Sequence, residues 1–233
     1  MKFVSKMLCL AGLVVAFGMG MGRANAYTLT YNGLNYGQSV SVSYGTTNLN
    51  TFAGQINLSF TGPAGTPAGY ATTFNAYCAE LENTLQTPMD IALRSTNDLT
   101  RNGISPNTGV KAAWLFNNYG SGVNSNLKGA ALQIAIWEAL YDSSSDLVGG
   151  YFKLLTNDAA LTSQVNTYLT GLQTSFSASS GTWFQAINPA SSQDMIGPAG
   201  PGGIVPEPGI VSLLAGSSLS SLCLLRRRYA SKK

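Results

Sequence analysis

An α+β protein is predicted: an antiparallel β-sandwich or small barrel with a helical subdomain, preceded by a signal peptide and followed by a C-terminal single membrane segment. Three observations lead there. Apolar residues alternate with a period of two in the first part of the body, three helical stripes follow, and apolar runs at both ends carry charges placed as in exported chains.

Residues 1–26 have Lys2 and Lys6, an apolar run from Met7 to about Gly18, and the small-residue site Ala24-Asn25-Ala26. This is the pattern of a secretory signal peptide cut before Tyr27. Val40, Val42 and Tyr44 then alternate with Ser39, Ser41 and Ser43, and Ile56, Leu58 and Phe60 with Gln55, Asn57 and Ser59. Both runs read as half-buried antiparallel strands, with turns at Gly45-Thr46-Thr47 and Gly62-Pro63-Ala64-Gly65. A third run covers residues 70–78, where Phe74, Ala76 and Cys78 share a face, so Cys78 is expected in the core. After Glu82 the pattern loosens into a loop containing Pro88 and Pro106.

Helices are expected over about 110–118, 128–142 and 158–173. The first carries Ala113, Trp114 and Phe116; the last, capped by Asn157, sets Leu161, Val165, Leu169 and Leu172 on one stripe. Residues 182–187 read as a strand returning to the sheet. Residues 190–208, rich in Gly, Pro and Ser, read as a flexible tether. The chain therefore divides into 1–26 (signal peptide), 27–189 (folded domain), 190–208 (tether) and 209–233 (membrane segment and basic tail).

The body left when both ends are removed, about 180 residues including the tether, is long enough for one core. The whole chain has a formal charge of +3, yet between Tyr27 and Pro206 five bases face nine acids, a net charge of −4. That balance gives no footprint for nucleic acid. There is no histidine, which removes Ser-His and Cys-His nucleophile pairs and makes zinc or copper sites unexpected. No carboxylate pair stands at a spacing that marks a glycosidase couple. No catalytic residue, metal or cofactor is assigned, and an enzyme is not expected.

The tail carries Val205, Pro206, Glu207 and Pro208, then an apolar and serine-rich segment to residue 225, then Arg226, Arg227 and Arg228. A helix of that length spans about 25 Å, marginal for a bilayer core, with the arginines staying cytoplasmic. This arrangement resembles the PEP-CTERM sorting signal. The resemblance implies processing by an exosortase-type enzyme, membrane contact through the C-terminal segment, and a place in the cell envelope or extracellular matrix of a Gram-negative bacterium.

Cys9 leaves with the signal peptide and Cys223 lies in the membrane segment, so the mature body keeps one cysteine, Cys78, and no internal disulfide. In KGAALQIAIWEALYD, residues 128–142, the uncharged polar side chain is Gln133, on the same stripe as Ile136, Trp137, Leu140 and Tyr141. A carboxamide there points inward, and leaving it unpaired costs about 1–3 kcal/mol. Either a neutral group partners it or its side chain is altered. A thiol beside it in a dry pocket displaces ammonia to form a thioester between the Cys78 sulfur and the Gln133 side-chain carbon. That bond removes the unsatisfied amide donors and protects the lone thiol from oxidation.

Tyr77-Cys78-Ala79-Glu80-Leu81, followed by Gln133-Ile134-Ala135-Ile136-Trp137, resembles the thioester domains of bacterial surface adhesins over roughly residues 70–142. The resemblance implies a β-sandwich joined to a helical part, with the thioester between them and covalent attachment to amines on a target surface. It further implies Cys78 as the sulfur, Gln133 as the acyl donor and Trp137 as packing over the bond. This chain departs from the pattern at Leu132, where the family usually has a threonine. With no histidine, Glu80 and Glu138 are the nearest carboxylates in sequence to manage the proton. The competing expectation is a non-covalent structural protein whose Ser-, Thr-, Asn- and Tyr-rich strands meet polysaccharide.

Overall fold

The computed structural model describes residues 26–101, 107–179 and 181–200. The signal peptide, the Val205 to Pro208 motif, the membrane segment and Arg226, Arg227 and Arg228 lie outside these residues. Among the described residues no helix is long and apolar enough to cross a membrane.

The fold is α+β, with one antiparallel sheet and three helices. Its strands are β1 (Tyr27–Tyr44), β2 (Thr47–Thr61), β3 (Thr73–Cys78), β4 (Met89–Ser95), β5 (Phe152–Leu154), β6 (Thr182–Asn188) and β7 (Met195–Gly197). The helices are α1 (Thr108–Tyr119), α2 (Asn126–Tyr141) and α3 (Ala159–Ser175). The strand order is β2-β3-β7-β6-β4-β1-β5, and β1 also pairs with β2. Six strands therefore close into a ring, the small-barrel form of the expectation, and β5 extends one end of β1. Closure leaves no free edge along the ring.

The long β1–β2 hairpin follows the alternating pattern. Leu58 and Phe60 point inward, and Phe60 joins Phe74 and Phe184 in an aromatic cluster with centroids 5.1 Å apart for both Phe60–Phe74 and Phe74–Phe184, a spacing favourable for tilted ring pairs. Helix α2 packs against β1 and β2 and is flanked by α1 and α3. Surrounded in this way, α2 buries residues on every side, from Gly129 to Tyr141. Its N-terminus is capped by Ser125, whose hydroxyl accepts from the Lys128 N–H at 3.3 Å. Gly129 permits the close approach to β1, since a Cβ there would lie 2.1 Å from the Tyr36 carbonyl oxygen.

Three expectations are corrected. The loop through Pro88 contains β4, which pairs with both β1 and β6. The cap of α3 is Asp158 rather than Asn157: its carboxylate accepts from the N–H groups of Ala160 and Leu161, both at 3.0 Å, which satisfies two of the orphan donors of the first turn. The tether assigned to residues 190–208 does not begin at residue 190. Met195–Gly197 forms β7 between β3 and β6, because Met195 and Ile196 bury their side chains in the core and the strand's N–H and C=O groups complete the ring.

Candidate functional site: a cysteine between two carboxamides

The end of β3 places the sulfur. β3 pairs with β2 from Ser59↔Thr73 to Ile56↔Ala76, and there the recorded pairing stops. Hydrogen-bonded pairs alternate along an antiparallel ladder, so continuing this register would set Gly54 against the N–H and C=O of Cys78. The β2–β3 ladder ends before that pair, and Gly54 keeps only its pairing with Gly37 of β1 on its other edge. Cys78 pairs with Met195 of β7 along one edge, but its N–H and C=O point to the other edge, where the β2 ladder has ended.

Gln133 takes that place. The Cys78 N–H donates to Gln133 Oε1 at 2.8 Å, and Gln133 Nε2 donates to the Cys78 carbonyl at 2.9 Å. Gln133 is completely buried and Cys78 is 4 % exposed. The neutral partner required by the buried carboxamide is thus the backbone of Cys78 itself. Leu132, where the resemblance leads one to look for a hydroxyl, is fully buried packing; two backbone groups orient the amide.

The sulfur points at a second carboxamide. Cys78 Sγ–H donates to Gln193 Oε1 at 2.9 Å, and Gln193 Nε2 donates to the Glu80 carbonyl at 2.7 Å. Burial, reinforced by the negative charge of Glu80, pushes the Cys78 thiol up to about 12, so the group is a protonated donor at neutral pH.

Gln193 is fixed by the chain on both sides. Its N–H donates to the Thr84 carbonyl, the Ser192 hydroxyl bonds the Gln86 backbone, and the Asp194 carbonyl accepts from the Ala79 N–H at 2.8 Å. Below them Arg101 bridges Glu80, at 3.3 Å, and Asp194, at 2.8 Å, and donates to the Ala79 carbonyl. Neither Gln193, Asp194 nor Arg101 stands out in the sequence. The two first lie in a stretch whose composition reads as linker, and Arg101 is an isolated charge at the end of a loop.

The remaining expected residues are Glu80, two positions after Cys78, and Trp137 and Glu138 on α2. The Glu80 carboxylate is held by Arg101, Asn83 and the Asp194 N–H, and burial raises its pKa against the opposing pull of the Asp194 N–H and Arg101. Trp137, one turn after Gln133, is fully buried, with its ring against Phe152 of β5 at 6.3 Å between centroids. Glu138 is five residues from Gln133, about 140° around the helix, and completely buried. Neither of its carboxyl oxygens has a hydrogen-bond partner. Burial first, then Asp142, pushes its pKa up to about 9, the nearby Asp146 backbone offsetting part of this. Tyr141, two turns beyond Gln133, accepts from the Leu81 N–H at 2.9 Å and donates to Glu82, tying the helix to the segment that follows Cys78.

No family model matches the chain, and no curated protein matches it. Among solved structures, it is similar to the pilus-presented adhesin Spy0125 (Cpa) in two crystal forms. One has 12% identity and a TM-score of 0.39, covering 69% of this chain and 62% of that one. The other has 14% identity and a TM-score of 0.40, covering 76% and 90%. This chain therefore spans less than two thirds of the first of these structures.

Proposed function

We propose that this is an exported cell-envelope or extracellular-matrix protein in which Cys78 and Gln133 form an internal thioester, used for covalent attachment to surface amines. One observation carries this: in a dry core, the carboxamide of Gln133 is docked on the backbone of the chain's buried thiol residue.

In the forming step Sγ bonds to the Gln133 side-chain carbon, the carbon–nitrogen bond breaks, and the thiol proton leaves with the nitrogen as ammonia. In the attachment step an amine attacks that carbon, the carbon–sulfur bond breaks, and a proton from the amine ends on Sγ. Both steps build negative charge on Oε1. The Cys78 N–H already donates to that atom at 2.8 Å, so an oxyanion donor is in place before reaction. Because Gln133 is fully buried, an external amine reaches it only when the packing over the site opens.

The sequence supports the export and sorting part of the proposal through the signal peptide, the Val205 to Pro208 motif and the closing arginines, with an exosortase-type enzyme as processing partner. The test is incubation of the mature protein with a biotinylated primary amine, followed by peptide mapping. The predicted product is an adduct on Gln133 with one free thiol at Cys78 released in step; absence of any adduct on the opened, partly denatured protein as well contradicts it.

A second, non-covalent function in polysaccharide binding is favoured by the outer face of the hairpin. Ser59, Asn32, Asn57, Asn75 and Gln55 form a hydrogen-bonded chain across β1, β2 and β3, and Tyr31 and Tyr36 are exposed on the same stretch of β1. Retention of the Cys78→Ala protein on an exopolysaccharide column, lost on replacing both tyrosines, distinguishes it.

A further inference from the structure

Cys78 is held from two sides by different side chains, and only one of them touches the sulfur. The two bonds from Gln133 fix its carboxamide relative to the Cys78 backbone. What remains free is rotation about the Cys78 Cα–Cβ bond, which has three staggered positions and alone decides where Sγ lies. The bond from Sγ to Gln193 Oε1 at 2.9 Å selects one of them. Gln193 cannot follow the sulfur elsewhere: its Nε2 is engaged by the Glu80 carbonyl at 2.7 Å and its N–H by Thr84, while its neighbours Ser192 and Asp194 are anchored on Gln86 and Ala79.

We propose that Gln193 is the positioning residue for the Cys78 sulfur: by holding the thiol in one rotamer it sets the approach of Sγ to the Gln133 carbon during formation of the thioester and receives the thiol again when an amine releases it. This rests on the thioester proposed above. An amide oxygen is too weak a base to take the proton, so Gln193 acts through orientation. The bond broken is carbon–nitrogen in Gln133, the bond made is carbon–sulfur, and the thiol proton departs with ammonia. β7 and the turn before it, which read as linker from composition, become the element that presents this side chain.

The experiment starts from protein recovered unfolded from inclusion bodies, in which Gln133 still carries its amide, and follows ammonia loss by intact mass after dilution from denaturant, comparing wild type, Gln133→Ala and Gln193→Met. Methionine keeps the volume of glutamine and lacks the acceptor. Gln193→Met is expected to slow thioester formation roughly ten- to a hundredfold, and Gln133→Ala to abolish it. A second readout is the Raman S–H stretching band of Cys78 in the Gln133→Ala protein, where the thiol stays free: adding Gln193→Met is expected to move it to the higher frequency of an unbonded thiol.

A Gln193→Met protein that closes at the wild-type rate overturns the positioning role and leaves the thioester standing. A deficit that survives Gln133→Ala and maps to Gln193 overturns it too, since Gln193 would then be the acyl donor. A wild type with no deficit removes the thioester and this role together. Where Gln193→Met fails to refold, the S–H band is compared between Gln133→Ala and the double variant Gln133→Ala with Gln193→Ala, and an unchanged band there counts against the proposal.

Discussion

Gln133 occupies, with its side chain, the two backbone hydrogen bonds of Cys78 that strand β2 would otherwise take. A helix thereby completes a sheet, and the acyl carbon and the thiol residue are brought into one dry place. Replacing Gln133 by leucine leaves the Cys78 N–H and C=O buried and unpaired. At about 1–3 kcal/mol per orphaned group, adding Gln133→Leu to the Cys78→Ala protein, in which Gln133 keeps its amide, is expected to cost roughly 2–6 kcal/mol, measured by urea unfolding. A loss below about 0.5 kcal/mol, the range of ordinary surface substitutions, would show that these bonds do not hold the helix to β3.

Removing the cation beneath the site is predicted to cost more than its charge alone suggests. Arg101→Leu leaves Glu80 and Asp194, 5 % and 8 % exposed, facing each other without a cation between them. Breaking a buried pair from one side typically costs about 3–5 kcal/mol. Thermal unfolding of the variant should show that loss, with partial recovery as the pH is lowered and Glu80, whose pKa burial raises, protonates.

Gly129 lies within a helix, where alanine normally gains about 1 kcal/mol over glycine. Here the sign is expected to reverse. The added Cβ would stand 2.1 Å from the Tyr36 carbonyl oxygen, so α2 must move off β1. Gly129→Ala should be destabilised by roughly 1–3 kcal/mol, as for other overpacked sites, and should carry a smaller fraction of thioester, because Gln133 is one turn further along the same helix.

Glu138 predicts a pH dependence. Its folded-state pKa is pushed up to about 9 from an ordinary value of 4.5. The folded protein therefore keeps a proton that the unfolded chain releases. Stability from this group is whole below about pH 4.5 and falls as the pH rises toward 9, on the order of 1 kcal/mol per pH unit at most. In Glu138→Gln that slope should disappear, which denaturation at pH 5, 7 and about 9 would reveal. A wild type equally stable across the window would mean that the carboxyl group finds a partner or water.

The hairpin was legible because one face of each strand is buried and the other wet: Leu58 and Phe60 are inside while Asn57 and Ser59 are not. The three helices were legible from their stripes, although α2 is buried all round and its pattern alone does not say which side Gln133 faces. β4 and β7 were hidden for different reasons. Met89–Ser95 carries Asp90 and Arg94 and follows Pro88, so its sequence looks like loop. Met195–Gly197 has three residues in a stretch rich in Gly, Pro and Ser, too few to show a period. The pairing of Cys78 with Gln133 could be suspected from an inward amide and a lone thiol. The role of Gln193 could not, because it depends on the chain returning to the end of β3 after β6, a contact that no local pattern records.

The most direct measurement is the intact mass of the mature protein, denatured in the absence of amines. The predicted mass is lower than the sequence mass by one ammonia, with no titratable thiol at Cys78, and the deficit vanishes in Cys78→Ala and in Gln133→Ala. A mass equal to that of the unmodified sequence, with one thiol titrating freely after unfolding, would contradict the thioester.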